Sequence, residues 1–211
     1  MKWAELLQLV GDEPVFSSSL LRAGDSPDAG LRLQLSRWVR TGKLIQLRRG
    51  VYALAEPYRK IQPHPFLVAN RLRRNSYVSL QSALAYHGLI PEHVPVVTSV
   101  TTGRPEQLQT ALGGYIFRHV RPDCFFGYRR MKPARDQEAF VATPEKALLD
   151  LVYLTPGGDS EEFVRELRLQ NREAVADTTL REFAARMAKP KLRHAAETLL
   201  RVLVEEEHGT L

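Results

Sequence analysis

The stretch Ser26 to Leu54 constrains the fold more than any other part of this sequence, because a helix with marked ends is followed there by a short basic hairpin. Ser26 is a favourable N-cap and Pro27 suits the first helical position. Gly42 suits the left-handed residue that follows a helix. The pattern predicts a helix over about residues 27–41, which would be roughly 22 Å long at 1.5 Å per residue.

The predicted helix is amphipathic. Its apolar stripe, at helical spacing, consists of Leu31, Leu35, Trp38 and Val39. We expect this stripe to face the core. The opposite face would then present Leu33, Ser36, Arg37 and Arg40 to solvent.

Two β-prone runs follow the helix, Leu44–Leu47 and Val51–Leu54, and Arg48-Arg49-Gly50 joins them into a hairpin. Two shorter helical patterns precede it, one over Lys2–Val10 and one within Ser17–Gly24. Three helices and a basic hairpin in this order are typical of a winged helix-turn-helix. We therefore assign residues 1–56 to such a domain.

Charge is distributed unevenly along the 211 residues. Residues 1–135 hold 20 basic and 9 acidic side chains, a net charge of +11, whereas residues 136–211 hold 10 and 15, a net charge of −5. This asymmetry favours a polyanionic partner for the first part and a protein-contacting role for the last. No apolar run is long enough to span a membrane, so we expect a cytoplasmic protein. The single cysteine, Cys124, excludes an internal disulfide.

The proline-rich run over residues 57–65 indicates a linker, and residues 66–211 would form a second domain. Short β-prone runs over residues 94–101, 115–120, 125–129 and 138–142 predict a small, mainly antiparallel sheet. Helices are expected over residues 66–74 and 80–87, after Thr143, and near residues 160–169, 178–188 and 191–207. The predicted fold class is α+β, a winged helix-turn-helix followed by a mixed α/β domain with C-terminal helices.

The first domain has the side chains that DNA recognition requires. Arginine can bind guanine with two hydrogen bonds in the major groove, and apolar groups contact the thymine methyl. Candidate DNA-binding residues on the helix and the hairpin are Arg32, Leu33, Gln34, Ser36, Arg37, Arg40, Lys43, Arg48 and Arg49. The alternative is that these are solvated surface charges on a structural or protein-binding winged helix.

A second set of basic residues lies among aromatic side chains in the middle of the chain, which is typical either of a nucleic-acid surface or of the exposed side of a sheet. This possible second basic surface comprises Arg71, Arg73, Arg74, Arg104, Arg118, Arg129 and Arg130, with Arg121 and Lys132 beside it.

Enzymatic motifs are weak. The six histidines lack the spacing of a zinc site, and the glycine pairs lack the lysine of a phosphate-binding loop. Asp123 with Glu145-Lys146 suggests a nuclease-like pattern, but the adjacent glutamate and lysine would point to different faces. We expect no catalytic residues, no metal and no cofactor.

Three segments together resemble the AbiEi antitoxins of type IV toxin-antitoxin, abortive-infection systems. They are Tyr77–Glu92 (YVSLQSALAYHGLIPE), Val97–Arg104 (VTSVTTGR) and Ala142–Asp150 (ATPEKALLD). With the winged helix in front, the resemblance covers nearly the whole chain.

The resemblance implies a transcriptional repressor that binds inverted repeats in the double-stranded promoter DNA of its own operon, as a monomer or as a dimer formed before or on the DNA. It also implies an antitoxin domain at residues 66–211 that counters a nucleotidyltransferase toxin without enzymatic activity and not necessarily by direct contact. Two alternatives stay open: a regulator whose second domain binds a small molecule, which a pocket lined by polar groups would favour, and a nuclease using Asp123 and Glu145.

Overall fold

The computed structural model describes residues 1–22 and 28–209. Its first part contains two α-helices, three strands and a short 3-10 helix, in the order α1 (Trp3–Val10), β1 (Phe16–Ser17), the 3-10 helix (Leu20–Arg22), α2 (Asp28–Arg40), β2 (Leu44–Arg48) and β3 (Val51–Leu54). The strands form an antiparallel sheet in the order β1-β3-β2. The proposed caps Ser26 and Pro27 lie outside the described residues.

Helix α2 is oriented as its apolar pattern predicts. Leu31, Leu35 and Trp38 are buried, and Val39 packs against the same cluster, which also contains side chains of α1 and of the small sheet. The rings of Trp3 and Trp38 meet edge to face with 5.1 Å between their centroids. Burial of this apolar stripe stabilises the first part.

The end of α2 confirms the expected role of Gly42. This residue has a φ of +70°. Its amide donates to the carbonyl of Val39, and the amide of Lys43 donates to that of Trp38. These two bonds form a Schellman motif, which satisfies carbonyl groups that would otherwise be unpaired at the helix end. The chain then enters β2 directly.

The predicted second helix begins later than expected. Phe16–Ser17 forms a strand, and only Leu20–Arg22 is helical, as a 3-10 turn, within the described residues of this stretch. The backbone of Ser17 and Phe16 pairs with Val51 and Tyr52. This sheet pairing takes up the residues that the helical pattern assigned to the start of the helix.

The second part continues with six strands and six α-helices among the described residues, together with two 3-10 turns. The α-helices and strands are α3 (Pro65–Leu72), β4 (Ser76–Val78), α4 (Leu80–Tyr86), β5 (Val96–Thr101), β6 (Glu106–Thr110), β7 (Gly113–His119), β8 (Tyr128–Ala134), β9 (Gln137–Ala142), α5 (Pro144–Leu154), α6 (Glu161–Glu166), α7 (Asp177–Arg186) and α8 (Pro190–Gly209).

All six strands belong to one sheet in the order β6-β7-β5-β4-β9-β8. Three neighbouring pairs are antiparallel and two, β4 with β9 and β5 with β7, are parallel. The sheet is therefore mixed, and the α+β class is confirmed. The expected strand over residues 125–129 begins only at Tyr128, because Pro122–Cys124 forms a 3-10 turn and Gly127 has a φ of +72°.

Helix α5 is the centre of the helical layer and packs against α4, α7 and α8. Thr143 caps it as predicted, because its hydroxyl accepts from the amide of Lys146. Ala147, Leu148 and Leu151 are buried. The later helices also lie close to their predicted positions. In the described residues no helix is both long and apolar enough to cross a membrane.

The segment over residues 57–65 is packed against both parts of the chain. Tyr58 contacts Trp3, with ring centroids 5.0 Å apart. Gln137 accepts from the amide of His64 at 2.7 Å and donates to the carbonyl of Gln62 at 2.9 Å. Val15, Leu47 and Ala53 of the first part belong to the main hydrophobic cluster of the second. This segment is thus a packed connection.

Candidate nucleic-acid interface

The exposed face of α2 is the surface that the sequence predicted to contact DNA. Since Leu31, Leu35 and Trp38 are buried, the rotation of the helix is determined and the other face must point to solvent. Leu33 is 68% exposed, an unusual value for a leucine in a helix that has a buried stripe. Gln34 is half-buried at the edge of this face, and its exposed members are Arg32, Leu33, Ser36, Arg37 and Arg40.

Arg37 and Arg40 are well placed for recognition. Both side chains are exposed, and neither forms an ion pair with any residue that the structure describes. Their guanidinium groups are therefore available for two parallel hydrogen bonds to one acceptor group. The helical part of α2 is about 20 Å long at 1.5 Å per residue, and a single helix fits the major groove of B-DNA.

The two arginines at the tip of the hairpin have different environments. Arg48 forms an ion pair with Glu106 at 3.1 Å and donates to the carbonyl of Leu72 at 3.2 Å. Arg49 is exposed and makes no ion pair within the described part of the chain. Arg48 thus attaches the hairpin to the second part, whereas Arg49 is available for a phosphate. Lys43, near the base of the hairpin, lies 5.1 Å from the centroid of the Trp3 ring.

The possible second basic surface does not form one continuous patch. Arg73 pairs with Glu106 at 2.8 Å, and its guanidinium lies over the ring of Phe117. Arg118 donates to the carbonyl of Leu154 at the end of α5. Arg104 and Arg129 are exposed. The remaining three members, Arg71, Arg74 and Arg130, lie together beside the hairpin.

These three arginines line a cleft of about 620 Å³ between the hairpin and the second part, which we call the basic cleft. Arg48, Arg49 and the three serines at positions 17–19 form its wall on the side of the first part. Glu138 and Phe140 of β9 contribute to the opposite wall. This cleft could not be predicted from the sequence, because its walls come from segments far apart in the chain.

The two residues of the nuclease alternative both contact other groups of the chain. Glu145 is 6% exposed and accepts from the amide of Ala176 at 2.9 Å, which joins α5 to the start of α7. Asp123 is exposed and pairs with Arg121 at 2.7 Å. No group of three or more possible metal-binding side chains occurs among the described residues. Burial raises the pKa of the Cys124 thiol, which disfavours the reactive thiolate.

A buried polar network is formed by side chains from two of the segments that carry the family resemblance. The Nζ of Lys146 bonds to Asp150, whose other oxygen accepts from the hydroxyls of Tyr77 at 2.9 Å and Ser79 at 2.8 Å. All four side chains are buried. Burial raises the pKa of the Tyr77 hydroxyl, and the Asp150 carboxylate raises it further, so the hydroxyl stays a donor. The network ties α5 to β4 and the start of α4.

The ammonium group of Lys146 also has aromatic neighbours. It lies 5.6 Å from the centroid of the Tyr77 ring and 5.3 Å from that of Phe126. These rings, together with Asp150, surround the charge without access to solvent. The four network residues were not predicted as a unit, although the segments containing Tyr77 and Lys146 were recognised as distinctive.

Comparison with known proteins supports the family resemblance most directly in the first part of the chain. Residues 5–55 match the family described as "Transcriptional regulator, AbiEi antitoxin". This range contains α1, α2 and the hairpin, and it precedes the three segments that suggested the family. No curated protein matches the sequence significantly.

The fold also occurs in a solved structure, that of the Rv2827c protein from Mycobacterium tuberculosis. The alignment covers 98% of this chain and 78% of that one, with a TM-score of 0.58 and 16% sequence identity. At this identity the likeness concerns the fold alone, but it includes both parts of the chain. The resemblance inferred from the sequence is thus confirmed over residues 5–55, which are similar to the family of AbiEi antitoxin transcriptional regulators.

Proposed function

We propose that this protein is a DNA-binding antitoxin that represses its own operon and counters a nucleotidyltransferase toxin, without enzymatic activity of its own. The observation that carries the DNA-binding part is the exposed face of α2. There Arg37 and Arg40 lie without ion pairs in the described chain beside the exposed Leu33. A transcriptional regulator needs such a face, and the matched family consists of transcriptional regulators.

In this proposal α2 enters the major groove of the promoter. Arg37, Arg40, Ser36 and Leu33 contact base edges, while Arg32 and Gln34 lie at the sides of the helix. Arg49 and Lys43 contact phosphates. Arg48 also holds the hairpin against Glu106, so its contribution to DNA binding would be smaller than that of Arg49. Inverted repeats in the promoter would be bound by two copies of the chain, as a dimer or as monomers that meet on the DNA.

The test of DNA recognition is a mobility-shift titration with the upstream promoter and with an unrelated duplex of equal length. Arg37→Ala and Arg40→Ala should each weaken promoter binding by about 1–3 kcal/mol and reduce discrimination between the two duplexes. Arg135→Ala is the matched control, since it removes an arginine that is 96% exposed and pairs with Asp136. Equal promoter affinity for the Arg37 and Arg40 variants and the wild type would refute the assignment.

The antitoxin part of the proposal assigns toxin antagonism to residues 66–211. The negative charge of the last third supports a surface that does not face DNA. The experiment is co-expression with the nucleotidyltransferase encoded beside the gene. A chain with both Arg37→Ala and Arg40→Ala should still rescue growth although it no longer represses. Loss of rescue in this variant at normal protein levels would contradict the separation of the two roles.

A second candidate is a regulator that responds to a small molecule. The basic cleft favours it, because the cleft is lined by polar groups and one wall is formed by the hairpin itself. Isothermal titration with small anionic molecules distinguishes this candidate, since an antitoxin repressor has no requirement for such binding.

A further inference from the structure

The basic cleft has a lining that is rich in unpaired or weakly paired positive charge. Five guanidinium groups and one carboxylate, that of Glu138, line it. Two more carboxylates lie outside the lining: Glu13 contacts Arg71, and Glu106 contacts Arg48. With these two included, five guanidinium groups face three carboxylates. Glu106 is moreover shared with Arg73. Positive charge is therefore in excess in the cleft by either measure.

Two of the pairs that these arginines make, those of Arg130 and Arg71, are easily displaced. Arg130 is 3.2 Å from Glu138 with 68% of its side chain exposed, and Arg71 is 3.7 Å from Glu13 with 53% exposed. Exposed pairs of this kind contribute little to stability. Arg49 and Arg74 make no ion pair with the described residues, and Arg74 donates to the hydroxyl of Ser19 at 3.4 Å. A ligand with several negative charges can therefore recruit these groups at small cost.

An aromatic ring lies in the same cleft. Phe140 is 43% exposed, although it is a large apolar residue on a strand. Its position is well defined, because its amide donates to the Asn70 side chain at 2.6 Å and its ring meets Tyr128 edge to face at 5.8 Å. A ring held in this way presents a surface to solvent that gains from being covered. Planar bases stack on such rings, and arginines beside them bind phosphates.

The size of the cleft selects among the ligands that carry a base and phosphates. Its volume of about 620 Å³ lies within the roughly 300–1,000 Å³ typical of sites for a single small molecule. A nucleic-acid strand would instead follow a longer positive groove, with several aromatic rings for successive bases. Phe140 is the one exposed ring that lines this cleft among the described residues. We therefore expect a ligand that carries a single base.

We propose that the basic cleft binds one nucleoside di- or triphosphate. The base stacks on Phe140, the phosphates bind Arg74, Arg130 and Arg49, and hydroxyls at positions 17–19 donate to phosphate or ribose oxygens. Binding itself depends neither on DNA recognition nor on antitoxin activity. Only a regulatory effect of the nucleotide rests on the second candidate function. Such an effect would arise because Arg49 lines the cleft and is also the proposed phosphate contact of the hairpin.

The test is isothermal titration of the full chain, free of DNA, with ATP, GTP, tripolyphosphate and adenosine. One of the two nucleotides should bind saturably with one site per chain and more tightly than tripolyphosphate or adenosine. Arg74→Ala and Arg130→Ala should each weaken the nucleotide by about tenfold or more, as loss of a charge-assisted hydrogen bond predicts. Phe140→Ala should weaken the nucleotide but leave tripolyphosphate unchanged. Phe140→Trp, which keeps a ring for stacking, should retain nucleotide binding.

Arg135→Ala is again the matched control and should bind nucleotide like the wild type, since it removes a charge outside the cleft. Thermal melts of each variant establish that it is folded. Absence of saturable heat with both nucleotides at millimolar concentration would overturn the proposal. So would an equal effect of Arg135→Ala, or equal affinity for tripolyphosphate and nucleotide. If the cleft variants weakened promoter binding while the wild type bound no nucleotide, the cleft would belong to the DNA interface and the proposal would fail, whatever became of the DNA-binding assignment.

Discussion

Replacing Lys146 with methionine tests whether the buried network holds the second part of the chain together. The two side chains have similar length, so the substitution removes the ammonium group with little change in volume. Asp150 then keeps the hydroxyls of Tyr77 and Ser79 as donors but loses its cation. The carboxylate remains fully buried and is left without a charged partner.

The cost follows from this environment. Removing one member of a buried ion pair typically destabilises a protein by about 3–5 kcal/mol. Because two neutral hydrogen bonds to Asp150 survive, we expect a loss at the lower end, about 3 kcal/mol. A chain of this size loses about 2–4 °C of melting temperature per kcal/mol. The expected decrease is therefore about 6–12 °C.

Differential scanning calorimetry and urea unfolding measure this loss. The matched control is Lys132→Met, the same substitution at an exposed position, which should change stability by less than about 0.5 kcal/mol. The double variant Lys146→Met with Asp150→Asn should be more stable than Lys146→Met alone, because it removes the unpaired charge as well. A Lys146→Met variant as stable as the control would refute this role of the network, and so would a double variant no more stable than Lys146→Met.

Three further substitutions test separate elements of the first part of the chain. Arg49→Ala should weaken binding to all duplexes alike and reduce the salt dependence of the binding constant by about one phosphate contact, measured by titration at several salt concentrations; an unchanged slope would contradict a phosphate contact. Leu33→Ala should leave the urea midpoint unchanged, since Leu33 is 68% exposed, yet weaken promoter binding; a clear loss of stability would place Leu33 in the core. Gly50→Ala should cost about 1–2 kcal/mol in urea unfolding, because its φ is +82° and a methyl group would lie 3.3 Å from the Ser18 hydroxyl; an equally stable variant would disprove this strain.

The first part of the chain was largely predictable because its helix and hairpin are encoded locally. The spacing of Leu31, Leu35 and Trp38 determines which face of α2 is buried, and Gly42 marks its end. The exposure of Arg37 and Arg40 then follows without knowledge of any other element. Which of these residues contact DNA stays a prediction, because periodicity identifies a face and not its partner.

Parts of the second sheet could not be predicted by the same means. The strand Ser76–Val78 has three residues and all are buried, so it shows no alternation that would distinguish it from a helix. The edge strand Glu106–Thr110 alternates but contains four polar residues and only one apolar residue, Leu108. Its identity depends on pairing with β7. Such strands are determined by tertiary contacts more than by their own composition.

Long-range pairing also distinguishes two of the predicted site residues. Arg48 and Arg49 are adjacent and chemically identical, and both were predicted to bind DNA. Glu106, 58 residues further along the chain, binds Arg48 and leaves Arg49 exposed. Sequence spacing cannot reveal such a partner, because the approach of β6 to the hairpin depends on the packing of the whole second part.

Of these two arginines, Arg48 links the hairpin to the rest of the protein. Arg48 holds its tip to Glu106 and to the carbonyl of Leu72, and Leu47 and Ala53 of the hairpin lie in the main core. A hairpin attached in this way is coupled in position to the second part. In the proposed function, a shift of β6 or α3, or a ligand in the basic cleft, would therefore alter how the hairpin is presented to DNA. The second part would then influence promoter binding even where it does not contact DNA, which gives a physical reason for one chain to contain both.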